Sequence, residues 1–177
     1  MLKFGLRNDH FSQDDRTAAP LFADAILTPL EKILLLKSVP LLLPVPDDVL
    51  EKMAALFEED ALNAGTPIFT AGERGRFMYI VIAGRARIHD AQRTIGYLGS
   101  RATLGELALL ENLPPNVSVT ADTEMRLFRI EQSVFYEFMA EQPALARGLI
   151  LSLRLRNREL LRLYKKPANI DLRPDKP

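Results

Sequence analysis

Short apolar segments punctuated by glycine and proline fill the middle of the chain, and apolar residues at helical spacing bracket them on both sides. Thr28-Pro29 reads as an N-cap followed by proline at the first helical position, predicting a short helix over about 30–37. Pro46-Asp47-Asp48 opens a second, roughly 47–57, with Val49, Leu50, Met53 and Leu56 on one face. Strand-like segments follow at Pro67–Thr70, Phe77–Ala83, Ala86–His89, Thr94–Leu98, Val117–Ala121 and Arg126–Ile130. In Met78-Tyr79-Ile80-Val81-Ile82 apolar residues occupy both faces, as a sandwiched sheet requires. After Ile130 the period returns to 3.6. Residues 131–140 read as a helix with Val134, Phe135, Phe138 and Met139, broken at Gln142-Pro143. A longer helix, about 144–166, carries Leu145, Leu149, Leu153, Leu160, Leu161 and Tyr164 near heptad spacing. The expected fold is mainly β with flanking helices. It is a jelly-roll-like double-stranded β-helix, with helices before it and two helices after it.

The expected organisation is a tail over 1–27, one domain over 28–166 and a tail over 167–177. Within the domain, 28–57 is a helical lead-in, 58–130 the β-roll and 131–166 the C-terminal helices. The 177 residues suit one domain. Lysine and arginine total 23 and so do aspartate and glutamate, a balance that argues against a dedicated nucleic-acid binder. The absence of cysteine excludes thiolate metal sites, iron–sulfur clusters and a cysteine nucleophile. The N-terminus, MLKFGLRNDHFSQDD, lacks a signal-peptide pattern, and no apolar run approaches the ~18 residues of a membrane span. The expected location is the cytoplasm.

Two segments carry a resemblance. The first, residues 64–84, is AGTPIFTAGERGRFMYIVIAG. It holds a glycine pair, an Ile-Phe strand, a Gly-acid-x-Gly turn and a Tyr-Ile-Val strand closing on glycine. The second is Leu104-Gly105-Glu106-Leu107-Ala108-Leu109-Leu110. Both segments, in helix–roll–helix order, resemble the cyclic nucleotide-binding domain family, including the regulatory domains of catabolite activator-type proteins and domains fused to transporters. The second segment is similar to the family's phosphate-binding cassette. A glycine before a helix start leaves backbone N–H groups free to cradle a phosphate. The resemblance implies that Glu106 accepts a ribose hydroxyl, with Leu107, Ala108 and Leu109 as an apolar wall.

The family completes its cassette with Pro-Arg-x-Ala-Thr/Ser; here the stretch is Pro114-Pro115-Asn116-Val117-Ser118. Pro115 stands at the arginine position, and a one-residue slip would put uncharged Asn116 there. Proline supplies neither charge nor backbone donor. Val117 replaces a small alanine, and Leu104 a phenylalanine. Arg85, Arg87 and Arg101 are the nearby cations, and we read them as solvated surface residues. The implied ligand-binding set is therefore Leu104, Gly105, Glu106, Leu107, Ala108, Pro115, Asn116, Val117 and Ser118. Cyclic AMP or cyclic GMP is the ligand implied by the resemblance, weakened or lost through the missing arginine.

Other chemistry has little to stand on. His10 and His89 are the only histidines, one of them outside the roll, so no metal site is expected. No nucleophile elbow, P-loop or Gly-x-Gly-x-x-Gly occurs, and no catalytic residue is assigned. Glu58-Glu59-Asp60 reads as a solvated helix end. From Arg147 to Lys166 seven basic residues face Glu159 alone, which reads as a solvated face in preference to an anion-binding one. Eleven residues follow Lys166, too few for the winged helix-turn-helix of the family's transcription regulators, so DNA binding by that route is not expected.

The sequence thus predicts a non-enzymatic regulatory module sensing a small nucleotide-like ligand. The alternative is an interaction module, stand-alone or excised from a larger protein, using the last helix to dimerise or to dock on a larger assembly. On that helix Leu145, Leu149, Leu153, Leu160 and Tyr164 form a stripe with Asn157 in the seam. The competing reading packs Leu145–Leu153 on the helix's own roll.

Overall fold

The computed structural model describes residues 26–73, 75–91, 93–106 and 114–164, with side chains at 156 and 159–164 outside the description. Helix α1 is Pro29–Ser38 and α2 is Asp47–Ala54. Eight strands follow: β1 Glu58–Leu62, β2 Pro67–Phe69, β3 Phe77–Ala83, β4 Ala86–Asp90, β5 Arg93–Leu98, β6 Thr103–Leu104, β7 Ser118–Ala121 and β8 Met125–Glu131. Two helices close the described chain, which we number α3 (Gln132–Glu141) and α4 (Pro143–Tyr164). The expected tails, 1–27 and 167–177, and the end of the expected last helix fall almost wholly outside the described residues, as does His10.

The strands form two antiparallel four-stranded sheets, ordered β1-β8-β3-β6 and β2-β7-β4-β5. This is the mainly β architecture with flanking helices that the sequence predicts. The first sheet is covered on both faces. Met78, Ile80 and Ile82 of β3, with Phe128 and Ile130 of β8, pack against the helices. Val81, Met125 and Leu127 face the other way, into the roll, where they meet Ala86, Ile88, Val119 and Ala121 of the second sheet. The period-2 alternation of a strand makes this division automatic once both faces are apolar.

Local chemistry explains the helix boundaries. Thr28 caps α1 in a full capping box with Glu31, with Pro29 at the start of the helix. Between α1 and α2 the chain turns tightly, Leu42 N–H bonding Val39 C=O and Val45 N–H bonding Leu42 C=O, which buries Leu41, Leu42 and Val45. Helix α4 crosses this connector. A Cβ on Gly148 would lie 2.7 Å from Val45 Cγ2, so glycine permits the crossing, and Ser152 Oγ donates to Pro40 C=O at 3.0 Å. Leu145 and Leu149 are buried in the core of their own chain and Leu153 is partly buried. The inner part of the leucine stripe therefore packs within the subunit.

Three expectations are corrected. Glu58-Glu59-Asp60 is not a helix end but most of strand β1, paired antiparallel with β8 from Glu58 opposite Arg129 to Leu62 opposite Met125. Its acids are answered across the sheet: Arg129 reaches Glu58 at 2.9 Å and Asp60 at 3.2 Å, and Arg126 reaches Glu59 at 2.8 Å. Helix α2 stops at Ala54, three residues early, because Leu56 N–H bonds Met53 C=O in a tightened turn that drops Phe57 into the core. The two-residue β6 was not anticipated.

Candidate functional site

Strand β6 brings the cassette sequence to the edge of the roll. Leu104 is buried and pairs with Tyr79 of β3. Gly105 follows with φ +83°. A Cβ there would stand 2.7 Å from Phe69 Cζ and 2.9 Å from Phe77 C=O, so both conformation and space demand glycine. Glu106 is half-buried. Leu107 and Ala108, with the rest of the expected apolar wall, lie outside the described residues.

The chain re-enters at Pro114. Pro115 is half-buried and Asn116 exposed. Pro115 C=O accepts the Gly72 N–H at 2.9 Å, and Ser118 Oγ accepts the Ala71 N–H at 3.0 Å. The end of the cassette is thereby tied to the β2–β3 turn, where Gly72 has φ +84°. Val117 is half-buried against the roll's inner core. The structure thus brings Leu104 to Glu106 and Pro115 to Ser118 to the roll from two separate segments.

Three aromatic residues that sequence reasoning did not single out by role converge beside the cassette. Phe69 of β2 meets Tyr79 edge-on at 5.5 Å between ring centroids, and Phe77 lies 6.2 Å from Tyr79. Burial, reinforced by Asp60 and opposed by Arg129, pushes the Tyr79 phenol above its ordinary value, so it remains a protonated hydroxyl. Their signal was present in the Ile-Phe and Tyr-Ile-Val strands, but only the sheet pairing shows that the rings converge.

The three cations near the cassette are placed elsewhere. Arg85 Nε donates to Asp122 at 2.7 Å, and its guanidinium stacks 4.8 Å over Tyr97. Arg87 lies on β4 between buried Ala86 and Ile88 and so on the opposite face of its strand from the roll interior. Arg101 is exposed at φ +67°, its N–H bonded to Val81 C=O. Among the described residues no group of three or more His, Asp or Glu side chains is arranged to hold a metal ion. The described cassette residues thus comprise the Gly105 turn, the half-buried Glu106 and the Ser118 hydroxyl that accepts the Ala71 N–H.

Residues 59–142 match the family model described as the cyclic nucleotide-binding domain. They belong to that family. A cAMP-dependent protein kinase regulatory subunit from Yarrowia lipolytica is 31% identical over 110 residues, 59% of this chain and 28% of that protein. The Cyclic AMP receptor protein of Thermus thermophilus is 25% identical over 132 residues, 71% of this chain and 61% of the receptor. The chain therefore spans less than two thirds of either relative. Among solved structures, the N-terminal domain of a transcriptional regulator from Streptomyces coelicolor superposes with a TM-score of 0.64 at 22% identity, covering 76% of this chain and 96% of that one. The Thermus thermophilus catabolite activator protein gives 0.57 at 26% identity, covering 71% and 62%. A cyclic nucleotide-binding domain fold supports a ligand-sensing regulatory module. Among the described residues, no helix is long and apolar enough to cross a membrane.

Proposed function

We propose that the chain is a non-enzymatic regulatory module, with 28–166 as its functional unit, whose cassette binds cyclic AMP and cyclic GMP weakly or not at all. The observation that carries this is Pro115 at the family's arginine position, with its carbonyl already engaged by Gly72. Loss of one partner of a buried charge pair costs about 2–5 kcal/mol, which is roughly 30-fold to several thousand-fold in affinity. The placements of Arg85, Arg87 and Arg101 outside the roll interior support the same reading. Val117, bulkier than alanine, narrows the approach further.

Calorimetric titration with each cyclic nucleotide tests it. Dissociation constants weaker than about 100 μM are expected, and one below about 1 μM overturns the reading. The double variant Pro115→Arg/Val117→Ala is expected to tighten binding by at least tenfold. A folded double variant with no gain means that the cassette is not poised for phosphate.

A second reading, a homodimer through the distal part of α4, is favoured by the way burial fades along the leucine stripe. Leu145 is 0% exposed and Leu149 5%, while Leu153 is only partly buried. Leu160, Leu161 and Tyr164 have side chains outside the description. Leu160→Glu is expected to turn a dimer into a monomer with the roll intact, and light scattering that finds the wild type monomeric at about 100 μM sinks the dimer.

A further inference from the structure

Four arginines of the β-roll are answered within the chain. Arg76 holds Glu131, Arg85 holds Asp122, Arg126 holds Glu59, and Arg129 holds Glu58 and Asp60. Helix α4 differs. Arg147, Arg154 and Arg158 are exposed, and no ion pair or hydrogen bond found among the described residues includes them. From Gln142 to Arg158 the sequence contains no aspartate or glutamate.

Their spacing is i, i+7, i+11. At about 100° and 1.5 Å per residue, the three fall within roughly 40° of one another around the helix and about 16 Å along it. Ile150, 67% exposed, flanks this column on one side; Leu151 and Leu155, 44% and 51% exposed, flank it on the other. Buried Leu145, Gly148, Leu149 and Ser152 occupy the far side. The outward face is thus a convex ridge of cations between two aliphatic flanks.

We propose that this ridge binds an anionic lipid surface, lying along it without crossing it. The arginine column supplies attraction to lipid phosphates and carboxylates, and the aliphatic flanks enter the headgroup boundary beside it. Arginine stems lie along apolar surface while their heads remain at the polar level, so cation and aliphatic neighbours are satisfied together. The alternatives fit less of the face. A second copy laid parallel on the same ridge brings each arginine against its twin. Nucleic acid answers the arginines but leaves Ile150, Leu151 and Leu155 without a counterpart, and the ridge offers no aromatic ring for a base. A protein segment packs into a groove, whereas this surface is convex and a fluid headgroup layer closes on both flanks.

Sedimentation with vesicles tests the proposal. The probe is phosphatidylcholine mixed with phosphatidylserine at about 3:1, against phosphatidylcholine alone. Binding to the anionic vesicles is expected, falling steeply as salt is raised, with little binding to the neutral ones. The triple variant Arg147→Gln/Arg154→Gln/Arg158→Gln, all at exposed positions, is expected to lose roughly 100-fold in partitioning, at about fivefold per cation. The wild-type salt dependence reads the same electrostatics without any variant. Ile150→Ser/Leu155→Ser is expected to weaken binding while leaving the salt slope unchanged. The proposal is overturned if anionic vesicles do not bind, or if the triple variant binds as the wild type does. It also fails if duplex DNA or a polyglutamate peptide is bound in preference to vesicles, or if the triple variant changes the oligomeric state.

Discussion

The two faces of the β1-β8-β3-β6 sheet are held by different means. On the helix side the core is built from volume: Leu36, Leu42, Leu50, Met53, Phe128, Phe135 and Leu145 are all but inaccessible to solvent. On the roll side, among the described residues, the buried side chains are fewer and include small ones, Ala86, Val119 and Ala121 among them, with Phe69, Tyr79 and Val117 only partly buried around them. There the backbone comes close instead, at Gly84 against Glu124 C=O and at Gly105 against Phe77 C=O. A dense helical layer fixes one face of the sheet, and smaller side chains with partly buried rings line the described part of the other.

Adjacent residues of β8 test the contrast most directly, because Phe128 points to the helices and Leu127 into the roll. Phe128→Ala is expected to cost about 3–5 kcal/mol, since a close-packed surrounding cannot collapse into the space. Leu127→Ala is expected near the lower end of its class, about 2 kcal/mol, because half-buried neighbours can move in. Urea denaturation of both variants reads the difference. Equal losses would remove the distinction between the two cores.

The close backbone approaches give the next effect. Gly84 has φ +89°, and a Cβ there would lie 2.2 Å from Glu124 C=O and 2.9 Å from Met125 Cα. Gly84→Ala combines left-handed strain with a clash against main chain, and a loss of about 3 kcal/mol is expected. Gly72→Ala is the control. Its φ is +84° but nothing stands within 4 Å, so strain alone remains, about 1 kcal/mol. If the two cost the same in thermal melts, close approach does not hold the β3–β4 turn.

These dependencies were unevenly legible in the sequence. The helix-side core declares itself through Val49, Leu50 and Met53 at helical spacing and through the alternation of β3, because burial on one face leaves a periodic trace. The glycine turns and both cassette segments were legible for a similar reason: positive φ selects glycine at Gly72, Gly84 and Gly105. Strand β1 was not. Its Glu-Glu-Asp start has no apolar rhythm, and what stabilises it is a row of arginines about 70 positions away that only the strand register brings opposite. The stripe on α4 was visible, but its partner was not, since a leucine row is equally consistent with its own domain or a second chain. Pro115 was read as a missing charge; that its carbonyl also ties the cassette to Gly72 needed the fold.

The joint between β1 and the helical layer yields a third, smaller effect. Glu59 accepts from the Leu27 N–H at 3.0 Å and from Arg126 at 2.8 Å, and it pairs with Lys32 at 3.4 Å. Its side chain is mostly shielded, so solvent screens these contacts only in part. Glu59→Ala is expected to cost about 2 kcal/mol, and Glu59→Gln roughly half that, because the amide still accepts hydrogen bonds. Hydrogen exchange should show the loss at the start of α1 and along β1 while the β4–β7 pairing stays protected. A uniform loss across the roll would mean that the two sides unfold as one unit and that their difference is only local packing.

The smallest effect belongs to the cap of α1, at the outer edge of the helix side. Thr28 Oγ1 accepts the Glu31 N–H at 3.3 Å, and the Glu31 carboxylate accepts the Thr28 N–H at 2.8 Å. Hydrogen bonds from the Thr28 side chain and then its backbone hold the Glu31 carboxyl below its ordinary value of 4.5. A carboxyl lowered by folding stabilises the native state above its unfolded value and loses that contribution as pH falls through the lower, folded one. Thr28→Ala removes the side-chain half of the box and is expected to cost about 1 kcal/mol near neutral pH. The gap between wild type and variant should then narrow on acidification, as protonated Glu31 ceases to accept. Thermal melts of both proteins from about pH 7 to about pH 3 check this, and the Glu31 carbon resonance in the variant should titrate closer to its ordinary value. A gap that stays constant with pH would assign the whole effect to the Thr28 hydroxyl and leave the carboxylate without a share in holding α1 to the sheet.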